Sequence, residues 1–295
     1  MNAFWIILTA SLVSICCALL GCFLILRKIS MIGDAISHAV LPGIVIAFFL
    51  SGSISSITVL VGASLMGILC TFLIEVFNKK AGVQADAAIG MVFTFLFAIG
   101  VILIAAFADN IHLDQDCVLH GEIAYVPLDL PETGTFLDHA PRQVWILGSV
   151  LLLLLTFLKI GYKGLFLTTF DTEYAISIGI STTFWHYLLM AAVSLTTVVS
   201  FESVGAILVV AFLIVPAATA YLLTDKLPTM LILSSLFGIL ASIGGYYLAV
   251  LLDGSIAGAI STVMGILFAL ILIFSPTQGL LAKRRKKVEN LQFQQ

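Results

Sequence analysis

Apolar residues in this chain come in long runs, each ended by a short polar or basic break. The runs cover residues 4–26, 35–50, 56–77, 88–108, 143–160, 184–201, 204–224, 229–251 and 255–274. A helix rises ~1.5 Å per residue, so about 20 apolar residues cross the ~30 Å hydrocarbon layer of a bilayer. Most of the runs reach or approach that length, and none shows the alternation of a membrane β-strand. The pattern predicts an all-α, polytopic membrane helical bundle. Only "SFESVG" separates the sixth run from the seventh, so the expected number of transmembrane helices is eight to nine.

The breaks carry a second pattern. Arg27 and Lys28 follow the first run, Lys79 and Lys80 the third, Lys159 and Lys163 the fifth, Lys226 the seventh, and "KRRKK" (283–287) the last. Every basic cluster therefore follows an odd-numbered run. Cytoplasmic loops hold Lys and Arg, which places these breaks inside, the N-terminus outside and the C-terminus inside. The alternate breaks contain one basic residue, Arg142, at the edge of the fifth run.

Composition agrees: 61% of residues are hydrophobic and 10% charged, with a mean hydropathy of +1.19. Soluble domains carry roughly 25% charged residues. The net charge of −3 and the lack of a basic arm give no reason to expect nucleic acid. Cys16, Cys17, Cys22, Cys70 and Cys117 show no C-x-x-C spacing, and four of them sit in apolar runs, where cysteine acts as a small hydrophobe. The first run lacks a basic leader and an A-x-A site and reads as a retained helix.

Two polar segments stand apart. Residues 109–142 hold seven of the sixteen acidic residues and three of the five histidines. They form either a solvated outer loop or an acidic, imidazole-bearing vestibule, in which His112, Asp114, Asp116 and His120 are the types of ligand that Mn, Fe and Zn accept. On the inner side, "TTFDTEYAISIGIST" (168–182) joins two spans. Asp171 suits an N-cap, Glu173 the first turn of a helix and Gly179 its end. The segment is either a docking element or an interfacial loop.

Ionisable residues within spans are costly and usually face the bundle interior. Asp34 and His38 are four residues apart and so share a helical face with Met31, three residues before Asp34. Carboxylate plus imidazole suits a mid-series divalent metal; a thioether would bias the site towards softer ions. The structural alternative has Asp34 capping the second helix and His38 bonding a neighbouring backbone group. Pro42 and Gly43 can open the helix beyond them. His186 near the start of the sixth run suits a structural histidine as well as a site, Glu202 lies at the outer turn, and Glu75 and Asp253 lie at helix ends as interfacial residues. No G-x-x-x-x-G-K-[ST], H-E-x-x-H or G-x-S-x-G sequence occurs. Any use of ATP therefore needs another chain, and no sequence signal points to a hydrolytic enzyme or to a permanently bound cofactor.

Five stretches, in order, resemble the membrane permeases of bacterial ABC importers for manganese, zinc and iron: "LRKISMIGDAISHAVLPGI" (26–44), "LHGEIAYVPLDL" (119–130), "FDTEYAISIGI" (170–180), "VGAILVVAFLIVPAATAYLLT" (204–224) and "IFSPTQGLLAKR" (273–284). The resemblance runs from about residue 5 to 282 and is greatest to the manganese and iron branch. It implies a single permease domain over 1–282, followed by a cytoplasmic basic tail over 283–295. It further implies a bacterial plasma-membrane location, a second permease copy, two copies of an ABC ATPase and an extracytoplasmic metal-binding protein. Asp34 and His38 would coordinate the transported ion transiently. Phe170, Asp171, Glu173, Ala175 and Gly179 would belong to the segment that couples to the ATPase. A carboxylate at Glu202 is not expected in the family. Competing readings are a permease for cobalamin or siderophores, against which the Asp-His pair argues, and an ion-coupled secondary transporter, against which the lack of inverted repeats argues.

Overall fold

The computed structural model describes residues 2–51, 57–107, 123–124 and 141–275. Among these the regular structure is helical: α1 (Asn2–Leu26), α2 (Met31–Ala39), α3 (Leu41–Ser51), α4 (Ile57–Lys79), α5 (Ala85–Phe107), α6 (Arg142–Phe170), α7 (Thr172–Ser177), α8 (Thr182–Val204), α9 (Ala206–Tyr221), α10 (Leu227–Leu252) and α11 (Ile256–Phe274). Counting Met31–Ser51 as one, eight helices among the described residues are long and apolar enough to span a membrane. The expected polytopic helical bundle is what forms.

The seventh expected run differs. Gly205 at φ +80° ends α8, in a left-handed region that side chains with a Cβ avoid. The 16 residues of α9 reach only about 24 Å, short of the ~30 Å apolar layer. Two other limits move. The second span opens at Met31, four residues before the expected start. The fifth continues ten residues past 160, because "KIGYKGLFLTTF" has no proline and its two glycines pack against Trp185 instead of ending the helix; Lys159 and Lys163 are exposed residues of α6 rather than of a following loop. At 29 residues α6 measures about 43 Å and outruns the hydrocarbon layer.

Two compact units divide the chain: Met1–Ile25, Ile123–Trp145 and Ile207–Gln295 in the first, and Leu26–Glu122 with Ile146–Ala206 in the second. In the first, α10 and α11 pack together. A Cβ on Gly21 of α1 would stand 1.8 Å from the Leu213 carbonyl oxygen of α9, so only glycine permits that approach. The buried Cys22 thiol donates to the Ser234 hydroxyl of α10 at 3.2 Å, and Ser275 reaches the Leu222 carbonyl at 2.5 Å. Small residues and interhelical hydrogen bonds hold apolar helices together where lipid supplies no hydrophobic drive.

In the second unit, α3 packs on α4 and α5, α2 on α4, α5 and α8, and α4 on α8. Leu41, Val45 and Ile104 form a buried cluster with Phe97, Val101 and Leu103 against it. The Ser194 hydroxyl donates to the Ser64 carbonyl at 3.0 Å, joining α8 to α4. Cys16, Cys17, Cys22 and Cys70 are buried and form no disulfide among the described residues, in keeping with small apolar fillers; Cys117 lies outside the described residues.

Candidate functional site

Helix α2 begins with Ser30 as its N-cap, without a side-chain capping bond. Asp34 is thus the fourth helical residue and does not cap the helix, contrary to the structural alternative above. Four residues on the helix completes about one turn, which brings His38 over Asp34. His38 Nε2 lies 3.7 Å from Asp34 Oδ1, and the two side chains are 41% and 36% exposed. A histidine bonded to neighbouring backbone is not what the structure shows either. The imidazole sits against two rings of α5, Phe93 at 5.8 Å and Phe97 at 6.0 Å between centroids. These two phenylalanines escaped the sequence reading, although their own i, i+4 spacing marks one face of α5. They limit where the imidazole can swing and leave its outer edge open beside the carboxylate.

First-row divalent ions bind imidazole nitrogen and carboxylate oxygen at about 2.1 Å, so one ion bridges donors up to about 4.2 Å apart. The Asp34–His38 separation lies within that reach. Beyond His38 the helix breaks at Val40, and Pro42, having no N–H, cannot donate to the His38 carbonyl. Met31 opens α2 with an exposed side chain. Among the described residues no three His, Cys, Asp or Glu side chains converge. The pair thus offers two ligands and an incomplete shell. His112, Asp114, Asp116 and His120 lie outside the described residues.

Segment 168–182 forms the capped helix that its residues suggest. Asp171 accepts the Tyr174 N–H at 2.9 Å and caps α7, Glu173 lies in the first turn, and Gly179 at φ +83° turns the chain out while Ile180 N–H bonds the Ala175 carbonyl at 2.9 Å. Ala175 is buried, and α7 packs on α8. Phe166 and Phe170 of α6, with ring centroids 4.8 Å apart and both exposed, lead up to the capped turn.

Other titratable residues fall differently. Glu202 is exposed near the end of α8, and Asp253 ends α10 in a left-handed conformation. Glu75, in the last turns of α4, has a side chain only 15% exposed and paired with Lys79. His186 lies near it and lines a cavity of about 450 Å³ with Arg27, Lys28 and Lys79. Sequence spacing could not show this, because the residues come from three separate segments.

The chain belongs to the ABC 3 transport family, whose pattern it matches over residues 2–275. It is 48% identical over 280 residues to the manganese transport system membrane protein MntD of Bacillus subtilis, covering 95% of this chain and 94% of that one. It is 49% identical over 278 residues to the zinc transport system membrane protein TroD of Treponema pallidum, covering 94% and 75%. Among solved structures it is similar to PsaBC from Streptococcus pneumoniae in complex with Fab, with a TM-score of 0.77 and 33% identity over 95% of this chain and 94% of that one. The protein is therefore a multi-pass integral membrane protein of a transport family.

Proposed function

We propose that this chain is the transmembrane permease subunit of an ATP-driven importer that carries a divalent transition metal, Mn²⁺ or Fe²⁺ with Zn²⁺ as the alternative, into a bacterial cell. The observation that carries the reading is the Asp34–His38 pair, two metal-type ligands 3.7 Å apart on a packed helix of a transport-family permease. The names of the manganese and zinc relatives support the cargo class.

Asp34 and His38 hold the ion in passing. Two protein ligands bind loosely enough to release it, and a second permease copy or water completes the shell. The inner segment, including Phe170, Asp171, Glu173, Ala175 and Gly179, docks on a separate ABC ATPase, present in two copies. A push on α7 passes directly to α6 and α8, whose ends flank it. An extracytoplasmic metal-binding protein delivers cargo to the outer segment 109–142.

The test is the metal content of cells carrying or lacking the gene, grown in metal-limited medium. Lower manganese or iron in the deletion strain, restored by the gene, supports the reading. Unchanged manganese, iron and zinc would overturn it.

A further inference from the structure

The cavity of about 450 Å³ in the second unit lies where α4 and α6 end and α8 begins, with the turn between α1 and α2 as one wall. Its volume falls in the ~300–1,000 Å³ range of small-ligand sites. Arg27 is half-buried there. Its Nε donates to the Thr169 hydroxyl at 3.0 Å and a terminal nitrogen to the Thr168 hydroxyl at 2.9 Å. Both partners are neutral, and among the described residues no carboxylate forms an ion pair with this guanidinium. A guanidinium carries five N–H donors in a planar fork, so donors remain beyond the two used. Burial pulls its pKa down to about 10, which still leaves it cationic at neutral pH.

Lys28 beside it has φ +59°, a left-handed conformation rare for a residue with a Cβ. That backbone turn places the second cation on the cavity wall. The single acidic residue among those lining the cavity, Glu75, is paired with Lys79 through one carboxylate oxygen. With Lys79 matched to Glu75, two cations, Arg27 and Lys28, remain without a carboxylate partner among the described residues, and Thr172, Thr182 and Thr183 line the same space. Such a lining disfavours a metal ion and suits an oxyanion with several acceptor oxygens.

We propose that this cavity is a binding site for a phosphate group, with Arg27 and Lys28 as its principal cationic contacts. Arg27 directly follows the end of α1, and Lys79 ends α4, so the site sits at a membrane boundary. Basic pockets between spans on the cytoplasmic side bind anionic lipid headgroups; inorganic phosphate offers the same chemistry from solution. The proposal does not depend on which ion the permease carries.

The test uses the full-length permease in detergent, titrated with phosphatidylglycerol, phosphatidylcholine or inorganic phosphate, and native mass spectrometry to count what each chain retains. The variants are Arg27→Gln, Lys28→Gln and, as a charge-matched control outside the cavity, Lys163→Gln. The expected result is tighter retention of phosphatidylglycerol than phosphatidylcholine. Retention weakens about five-fold in Lys28→Gln and at least as much in Arg27→Gln, while the control keeps wild-type retention. Displacement of the lipid by inorganic phosphate, or binding of phosphate alone with the same variant order, assigns the site to a soluble anion. Arg27→Gln also removes two hydrogen bonds, so Lys28→Gln, which removes none of those seen, decides if that variant fails to fold. Equal losses in Lys28→Gln and Lys163→Gln, or no loss in Lys28→Gln with any of the three probes, would overturn the proposal.

Discussion

The Trp185 indole of α8 fills a notch that exists because residue 164 of α6 is glycine: a Cβ built on Gly164 would come within 2.2 Å of the ring. Gly161, one turn earlier, lies under the same ring, with its would-be Cβ at 2.7 Å. The contact fixes α6 against α8 just before the chain enters α7. Gly164→Ala should lower stability by about 1–3 kcal/mol, the usual cost of overpacking. Replacing Trp185 with Leu in the same chain should recover part of the loss. Thermal unfolding of the purified permease in detergent measures both; an unshifted midpoint in Gly164→Ala would show that the indole moves aside freely.

Asp171 invites a separation of cap from charge. Loss of an N-cap acceptor costs roughly 0.5–2 kcal/mol, a large share of what holds a six-residue helix such as α7. Asp171→Asn keeps an oxygen for the Tyr174 N–H, whereas Asp171→Ala removes it. Uptake should persist in the first and fall several-fold in the second while the ATPase partner still hydrolyses ATP. Equal uptake in both would remove the cap from the coupling account. Reversal of charge at both Asp171 and Glu173 to Lys should uncouple hydrolysis from uptake.

Much of this architecture was legible from local signals. Long apolar runs stand out because a spanning helix has no other way to satisfy its backbone in lipid. The cap at Asp171 and the turn at Gly179 were legible because both act within four residues of themselves. The end of α6 was not. Lys159 and Lys163 look like a loop signal, yet lysine propagates a helix well and extends its ammonium to the interface. The cavity was hidden for a different reason. Arg27, Glu75, Thr168 and His186 meet only through packing of distant segments, and no spacing rule reaches that far. At the candidate metal site the sequence supplied Asp34 and His38, and tertiary packing supplied the Phe93 and Phe97 walls.

Topology rests on the distribution of Lys and Arg. Single cysteines at Thr133 and Thr172, in a background without Cys16, Cys17, Cys22, Cys70 and Cys117, should label on opposite sides. An impermeant maleimide is expected to reach Thr133→Cys in intact cells, and Thr172→Cys, exposed at the start of α7, only after lysis. The opposite pattern would invert the chain and detach the inner segment from any cytoplasmic ATPase.

Protons compete with metal for carboxylate and imidazole. At metal concentrations below saturation, uptake should therefore decline as the external medium is acidified, and excess metal should restore it. Uptake that does not change with external pH at subsaturating metal would place the metal on other ligands.

The most direct measurement is initial-rate uptake of radiolabelled manganese by cells expressing Asp34→Asn or His38→Ala, with insertion and ATPase assembly verified for each. Asn preserves the size of Asp34, and among the described residues the polar contact of His38 is its approach to that carboxylate, so neither change should unfold the helix. Loss of a metal ligand predicts at least a ten-fold fall in uptake for each variant, with the double variant little worse than the singles because the two act on one ion. Wild-type rates in both well-inserted variants would contradict the account.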